Sequence, residues 1–332
     1  MNIDKKASVV AYAALPDSCL KQLQQHFDVA DFTGQSGLRR NPAFAAALAQ
    51  AQGVIGSGLA FDRALIASAP QLKVVSTVTV GYDNYDIAAL GERGILLCNT
   101  PDVLTESVAD LSLALMLTSA RRVVELGSRV AAGDWKRPVD SADFGSDVYG
   151  KTLGIVGMGR IGMSVARRAH LGFGMRVLYH SRHAKPDADR EFGAQHCALD
   201  DLLAQSDFVC VLVPLSADTE HLIGAAQFAR MKRSAFLINV ARGKVVDEQA
   251  MIAALKAEQI AGAGLDVFER EPLPADSGLL GLRNVVLLPH IGSATHQTRL
   301  AMAQLATSNL IDALNGRKPR AMVNSDCWPL RV

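Results

Sequence analysis

The stretch TLGIVGMGRIGMSVARRAHL (152–171) constrains the architecture of this chain more than any other. An apolar run leads into Gly157-x-Gly159-x-x-Gly162, and an apolar-periodic helix follows. Each glycine has a mechanical task in such a turn: Gly157 allows the tight strand-to-helix reversal, Gly159 lets backbone approach a pyrophosphate, and Gly162 lets the helix lie close to the sheet. The helix start adds exposed N–H groups and the positive end of a dipole. Gly157, Met158, Gly159, Arg160, Ile161 and Gly162 therefore form a first candidate cofactor-binding set, for a dinucleotide.

A second strand, RVLYH (176–180), ends where its tip should meet the adenosine ribose. An Asp or Glu is expected about 20 residues after the glycines, bonding the ribose hydroxyls of NAD. RVLYHSRHAKP (176–186) contains no acid. Ser181 and Arg182 offer instead a small donor and a guanidinium suited to bidentate phosphate contact. His183 and Lys185 add positive charge to the rim. The expected cofactor is NADP, with NADPH preferred over NADH.

Strand-like and helix-like segments alternate almost throughout, which argues for parallel sheets with helices on both faces. One set comprises SVVAYA (8–13), GVIGS (53–57), KVVSTV (73–78) and ILLCN (95–99), with helices from about Asp17 and near Asp62. The other comprises TLGIVG (152–157), RVLYH (176–180), DFVCVLV (207–213), SAFLINV (234–240), AGAGLDV (261–267) and NVVLLP (284–289). At 332 residues there is room for two cores. The expected fold is α/β, with two doubly wound parallel-sheet domains and a cleft between them. Residues 104–290 would form a Rossmann dinucleotide domain. Residues 1–103 with 291–332 would form a discontinuous, flavodoxin-like substrate domain, the last helix returning the chain to it. The segment 107–135, apolar at helical spacing over more than five turns, reads as one long connector helix and a face for a second copy.

Lys and Arg number 34 against 33 Asp and Glu, so no overall field favours nucleic acid or an acidic membrane surface. The apolar stretches are too short to span a membrane, and the N-terminal segment lacks a signal-peptide pattern. Five scattered cysteines, never in a CxxC pair, argue against disulfides and metal ligation and for the cytoplasm.

Three segments place chemically capable residues just after strands: Arg242 in INVARGKVVDE (238–248), Asp266 and Glu271 in GLDVFEREPL (264–273), and His290 in LLPHIGS (287–293). Sheets of this class bind ligands at the carboxyl ends of their strands. An Arg can bind a carboxylate and polarise an adjacent carbonyl, but it does not give up a proton at neutral pH. A His can, and a neighbouring carboxylate orients it and favours its protonated form. That set suits carbonyl reduction, with Asp266 facing the nicotinamide end of the cofactor.

In this order, GMGRIG, NVARGKVVDE, LDVFEREPL and PHIGSAT resemble the D-isomer-specific 2-hydroxyacid dehydrogenases, and the similarity extends over STVTVGYDNYD (76–86), TPDVLTESVADL (100–111) and AAGDW (131–135). It is strongest to the bacterial glyoxylate/hydroxypyruvate reductases of the 2-ketogluconate reductase type. The resemblance implies catalytic roles for Arg242, Glu271 and His290 and a substrate-carboxylate loop at Val80 and Gly81. It places Thr105, Val213, Pro214 and Thr219 against the cofactor. Val240, Ala241 and Gly292, which flank the catalytic candidates, join that cofactor-binding set. It also implies a homodimer through the long helix, with Trp135 reaching the partner's active site. The substrate would be a small 2-keto or 2-hydroxy acid: glyoxylate, hydroxypyruvate or 2-keto-D-gluconate. Tyr82, Trp135 and the region of Asp143 and Phe144 are candidates for its tail. Two other readings stay open: an NAD-linked dehydrogenase of another acid, and a nicotinamide-sensing binding protein.

Overall fold

The computed structural model describes residues 6–329; residues 1–5, the start of the N-terminal segment considered above, and 330–332 lie outside it. The chain divides into two compact units, residues 1–104 with 295–332 and residues 105–294. The crossings thus fall after Leu104 and Ala294, slightly beyond the boundaries expected from the sequence.

The first unit carries five parallel strands: β1 (Ser8–Ala11), β2 (Asp28–Asp31), β3 (Gly53–Gly56), β4 (Val74–Thr77) and β5 (Leu96–Cys98). Their order is β2-β1-β3-β4-β5, the flavodoxin-like arrangement. Strands covered on both faces are apolar runs rather than alternations, and β3, β4 and β5 are buried at every position. The helix His296–Leu314 lies against β3 and β4 although it comes last in the chain. Gly53 is the seat for it, because a Cβ there would fall 2.9 Å from Leu310 and Leu314. Sequence patterning missed β2, an edge strand reading DVAD with both aspartates exposed.

The second unit carries seven parallel strands: β6 (Thr152–Val156), β7 (Arg176–His180), β8 (Gln195–His196), β9 (Phe208–Val211), β10 (Phe236–Asn239), β11 (Gly262–Leu265) and β12 (Val285–Leu287). The order β12-β11-β10-β9-β6-β7-β8 is the dinucleotide-binding order with one strand added. Its reversal point lies between β6 and β9, and the glycine turn leaves the end of β6.

One expectation needs correcting. Residues 107–135 are not a single connector helix. The helix Thr105–Ala120 ends, Arg122 turns left-handed at φ 53°, and a second helix runs Val123–Ala131. The apolar spacing continues through the break, so periodicity alone cannot detect it. What holds the break is tertiary: the Arg122 guanidinium grips Glu125 at 2.8 Å and the Ala142 carbonyl at 2.6 Å. The first helix packs on β10, β11 and β12 and on the helix Arg160–Phe173, so it is a layer of the second unit. Trp135 lies beyond the second helix, not at its end. Among the described residues no helix is long and apolar enough to cross a membrane.

Candidate active site

The glycine turn is built as the sequence demands. Gly157 has φ 110°, and a Cβ on it would meet the Leu212–Val213 backbone at 2.8 Å. Its N–H donates to the His180 carbonyl at 2.9 Å, tying the turn to the end of β7. A Cβ on Gly162 would lie 2.4 Å from the Gly157 carbonyl oxygen, so only glycine lets the helix sit this close. Gly159 faces open space and is the N-cap of the helix Arg160–Phe173, with no side-chain cap on its first N–H groups. An approachable backbone and uncapped helical N–H groups fit a pyrophosphate. Val213 stands beside this turn, and Thr219 closes the next loop by donating to the Pro214 carbonyl at 2.6 Å.

Beyond β7 the basic turn is held in shape by its neighbours. His196 on β8 donates from Nε2 to the Ser181 carbonyl at 2.9 Å, and Ser181 Oγ donates to the His183 carbonyl at 2.7 Å. The ring of Tyr179 is fully buried, and its hydroxyl accepts the Lys185 N–H at 2.7 Å and donates to Asp189 at 2.9 Å. Burial pushes the Tyr179 hydroxyl above the usual tyrosine range, with Asp189 adding to the rise and the Lys185 N–H opposing it. Arg182, His183 and Lys185 remain exposed. The Ser181 hydroxyl is thus already engaged within the turn, which leaves Arg182 as the principal group offered to solvent there.

Arg242, Asp266, Glu271 and His290 come from three adjacent strands. His290 Nδ1 meets Glu271 Oε2 at 2.7 Å, and the other carboxylate oxygen of Glu271 accepts the Phe268 N–H at 3.0 Å. Partial burial raises the Glu271 pKa. The bonds from His290 and Phe268 and the charges of His290 and Arg242 outweigh it, leaving the group below the usual range. Arg242 donates to the Ala241 carbonyl at 2.8 Å, and its own carbonyl accepts from Asn239 at 3.0 Å. The next residue fixes where it sits: a Cβ on Gly243 would lie 1.8 Å from the Phe268 carbonyl carbon. Gly243 is therefore in close backbone contact with the Phe268–Glu269 peptide.

Asp266, expected at the nicotinamide end of the cofactor, is bonded to backbone within its own unit. It is 1% exposed, and its two oxygens accept the N–H groups of Ile291 at 2.7 Å and Gly292 at 2.8 Å. It clamps the turn that follows His290, which itself adopts a left-handed φ of 55°. Strained backbone of this kind persists only where surrounding bonds over-determine it. Ser107, in the helix opened by Thr105, completes the clamp by donating to the Gly292 carbonyl at 2.8 Å. Gly292 is buried, with its N–H taken by Asp266.

Val80 and Gly81 follow β4 in the first unit, and Val240 and Ala241 lead from β10 to Arg242. Trp135 is 60% exposed. Sequence reasoning missed Tyr179, His196 and Gly243, whose roles depend on partners far along the chain. It also missed a second His–Glu pair, His221 Nε2 to Glu269 Oε1 at 2.9 Å, which braces the loop carrying Glu271. Only Gly243, a glycine directly after the candidate arginine, left a local signal.

Residues 113–292 match the profile of the D-isomer specific 2-hydroxyacid dehydrogenase, NAD binding domain. The chain is 56% identical over 321 residues to glyoxylate/hydroxypyruvate reductase B of Klebsiella pneumoniae, covering 96% of this chain and 98% of that protein. It is 41% identical to the TT0316 protein of Thermus thermophilus, whose crystal structure superposes with a TM-score of 0.86 over 95% of this chain and 99% of that one. The NADPH-dependent glyoxylate/hydroxypyruvate reductase of Sinorhizobium meliloti, solved with NADP and malonate, is 31% identical, with a TM-score of 0.88 over 99% and 100% of the two chains. With this extent of identity laid over both parallel sheets, the chain belongs to the D-isomer specific 2-hydroxyacid dehydrogenases.

Proposed function

We propose that this protein is an NADPH-dependent reductase of small 2-keto acids such as glyoxylate, hydroxypyruvate and 2-keto-D-gluconate, forming the D-2-hydroxy acids. The observation that carries the reading is the His290–Glu271 pair at 2.7 Å with Arg242 beside it. Arg242 holds the substrate carboxylate and draws electron density toward the carbonyl oxygen. When bound, the nicotinamide supplies hydride to the carbonyl carbon. His290 gives its Nε2 proton to the developing alkoxide, while Glu271 holds Nδ1 and supports the imidazolium. In the reverse direction neutral His290 takes that proton back. The loop after β4 offers the backbone N–H groups of Val80 and Gly81 for carboxylate binding. Residues 105–294 are the dinucleotide-binding domain in this reading, and the other unit is the substrate domain.

Cofactor preference rests on the β7 tip, where Arg182 faces solvent and no acid stands to repel a 2′-phosphate. Comparing kcat/KM for NADPH and NADH with glyoxylate tests both halves of the proposal. Absence of turnover overturns the reductase, and equal or better use of NADH overturns the preference. The intact Arg, Glu and His set favours an enzyme over a sensing protein.

The working unit is a homodimer. The helix Val123–Ala131 buries none of its residues in its own chain, and Val123, Val124, Val130, Trp135, Val139, Phe144, Tyr149 and Leu171 are all about half exposed or more. Exposed apolar side chains on an otherwise unburied helix suit a protein interface, and a second copy is the proposed occupant. We place the protein in the cytoplasm, since none of the five cysteines forms a disulfide among the described residues.

A further inference from the structure

Apart from the hydroxyl pair Tyr12–Tyr85 at 2.9 Å, the core of the first unit is polar mainly in one place. Its buried polar side chains are Ser76, Thr77, Asn99, Thr100, Thr298, Thr307 and Asn309. All but Thr298 gather where the ends of β4 and β5 meet the last helix. Ser76 Oγ donates to the Ala306 carbonyl at 2.7 Å, and Asn309 Nδ2 donates to the Asn99 carbonyl at 3.1 Å while its Oδ1 accepts the Ala321 N–H at 3.3 Å. The hydroxyls of Thr100 and Thr307 are buried there with no partner among the described residues. Apolar residues would fill this space more cheaply. The arrangement needs a reason beyond stability.

The network ends on three successive carbonyls of the loop after β4. The Thr79 carbonyl accepts the Thr100 N–H at 3.0 Å, the Val80 carbonyl accepts Asn99 Nδ2 at 2.8 Å, and the Gly81 carbonyl accepts Thr79 Oγ1 at 2.7 Å. A carbonyl only accepts, so Thr79 must donate to Gly81 and receive the Thr77 hydroxyl, 2.8 Å away. In a trans peptide the C=O and the next N–H point in opposite directions, and these three peptides are trans. Tethering the carbonyls inward turns the N–H groups of Val80, Gly81 and Tyr82 the other way. Among the described residues no acceptor takes any of the three. Successive N–H groups directed to one side make an anion-binding concavity.

We infer that Asn99 is a positioning residue for substrate-carboxylate binding, acting through the Val80 carbonyl and locked by Asn309, and that Tyr82 supplies a third N–H beside those of Val80 and Gly81. The inference rests on the reading that this loop binds the keto-acid carboxylate. In this role Asn99 acts on the loop: it determines which way a donor faces before substrate arrives.

Asn99→Ala should raise KM for glyoxylate about ten-fold, the worth of one well-placed hydrogen bond, with kcat and the KM for NADPH changed less than about two-fold. Anchoring of this kind acts equally on ground and transition states, so it moves KM rather than kcat. Asn309→Ala, one residue farther out, should shift the same parameter in the same direction. A variant that merely folds less well would lower apparent kcat and leave KM alone, which overturns the inference. Amide NMR of isotopically labelled protein saturated with NADPH separates the two layers. In the wild type, oxalate should shift the Val80, Gly81 and Tyr82 amides; no shift there overturns the loop reading itself. If those amides shift but Asn99→Ala titrates at the same oxalate concentration, the loop reading stands and the role of Asn99 is refuted.

Discussion

Asp266→Asn tests whether the proton donor is held by its neighbours rather than by its own chain. Both Asp266 oxygens accept backbone N–H groups, from Ile291 at 2.7 Å and Gly292 at 2.8 Å. Asparagine has one acceptor, so either orientation of its amide loses one bond and sets an NH2 against an N–H. Hydrogen bonds to a charged group contribute about 1.5–3 kcal/mol, and a stranded buried donor costs about 1–3 kcal/mol. Part of this is returned, because burial raises the Asp266 pKa against the pull of the two N–H groups, and the neutral side chain escapes that penalty. The net loss should be about 2 kcal/mol, or about 4–8 °C in Tm for a unit of this size. The larger effect should be on turnover. His290 sits in a left-handed conformation immediately before the clamped pair, and relaxing it by about 1 Å costs up to about a hundred-fold in rate. Steady-state kinetics with glyoxylate and NADPH, beside a thermal melt, measures both. We expect kcat to fall ten- to a hundred-fold with the KM for NADPH nearly unchanged. A raised NADPH KM at normal kcat would return Asp266 to the cofactor contact expected from the sequence and refute the clamp.

His290→Ala should lower kcat by about 10²–10⁴, the usual worth of a placed general acid, while NADPH binding measured by fluorescence titration persists; surviving turnover would mean another group delivers the proton. Arg182→Ala should raise the KM for NADPH by at least about ten-fold, as expected for a lost charge-assisted phosphate contact, and leave NADH little changed, so equal losses with both cofactors would refute the assignment. Arg129 and its neighbours hold the Asp143 carboxyl down to about 2, in spite of burial. A depressed carboxylate stabilises the fold above its ordinary range and loses that contribution as pH falls through about 2; Arg129→Ala should therefore move acid unfolding, followed by circular dichroism, to higher pH. Charging the exposed apolar face with Val124→Asp and Val130→Asp should convert a dimer to monomer in light scattering, and an unchanged mass would place the interface elsewhere.

Much of the fold was legible because its signals are local. Gly157 and Gly162 each meet a steric demand at the turn, and the buried strands are apolar runs that periodicity finds. What was not legible depended on distant partners. The strand β2 is an edge and carries two exposed aspartates, so nothing in DVAD distinguishes it from a loop. The break at Arg122 is held by Glu125 and by the Ala142 carbonyl, and the latter lies twenty positions away in the chain. In the candidate site, Arg242, Glu271 and His290 could be named from residue type and position after strands. The bonds of Asp266 to Ile291 and Gly292 could not, because an aspartate after a strand shows nothing in sequence of the backbone it will hold.

The convergence of three segments separated by dozens of residues follows from strand order. The strands β10, β11 and β12 are neighbours in register, Asn239 pairing with Leu265 and Leu265 with Leu287. Arg242, Asp266 and His290 each lie within three residues of one of those strand ends. Parallel strands about 4.8 Å apart deliver such residues within one small-molecule diameter of each other. The glycine turn uses the other side of the same edge, after β6, with Val213 after β9 and Ser181 after β7. The glycine turn and Ser181 thus follow strands on one side of the reversal point, and Arg242, Asp266 and His290 follow strands on the other, with Val213 after β9 at the boundary. An extended dinucleotide lying along that edge would present its adenosine end to Arg182 and its nicotinamide end to His290. The polarity of the sheet order therefore predicts that substitutions after β7 alter cofactor choice without touching proton transfer, while substitutions after β12 do the reverse. Parallel kinetics on Arg182→Ala and His290→Ala with both cofactors would refute this division if either variant altered both properties together.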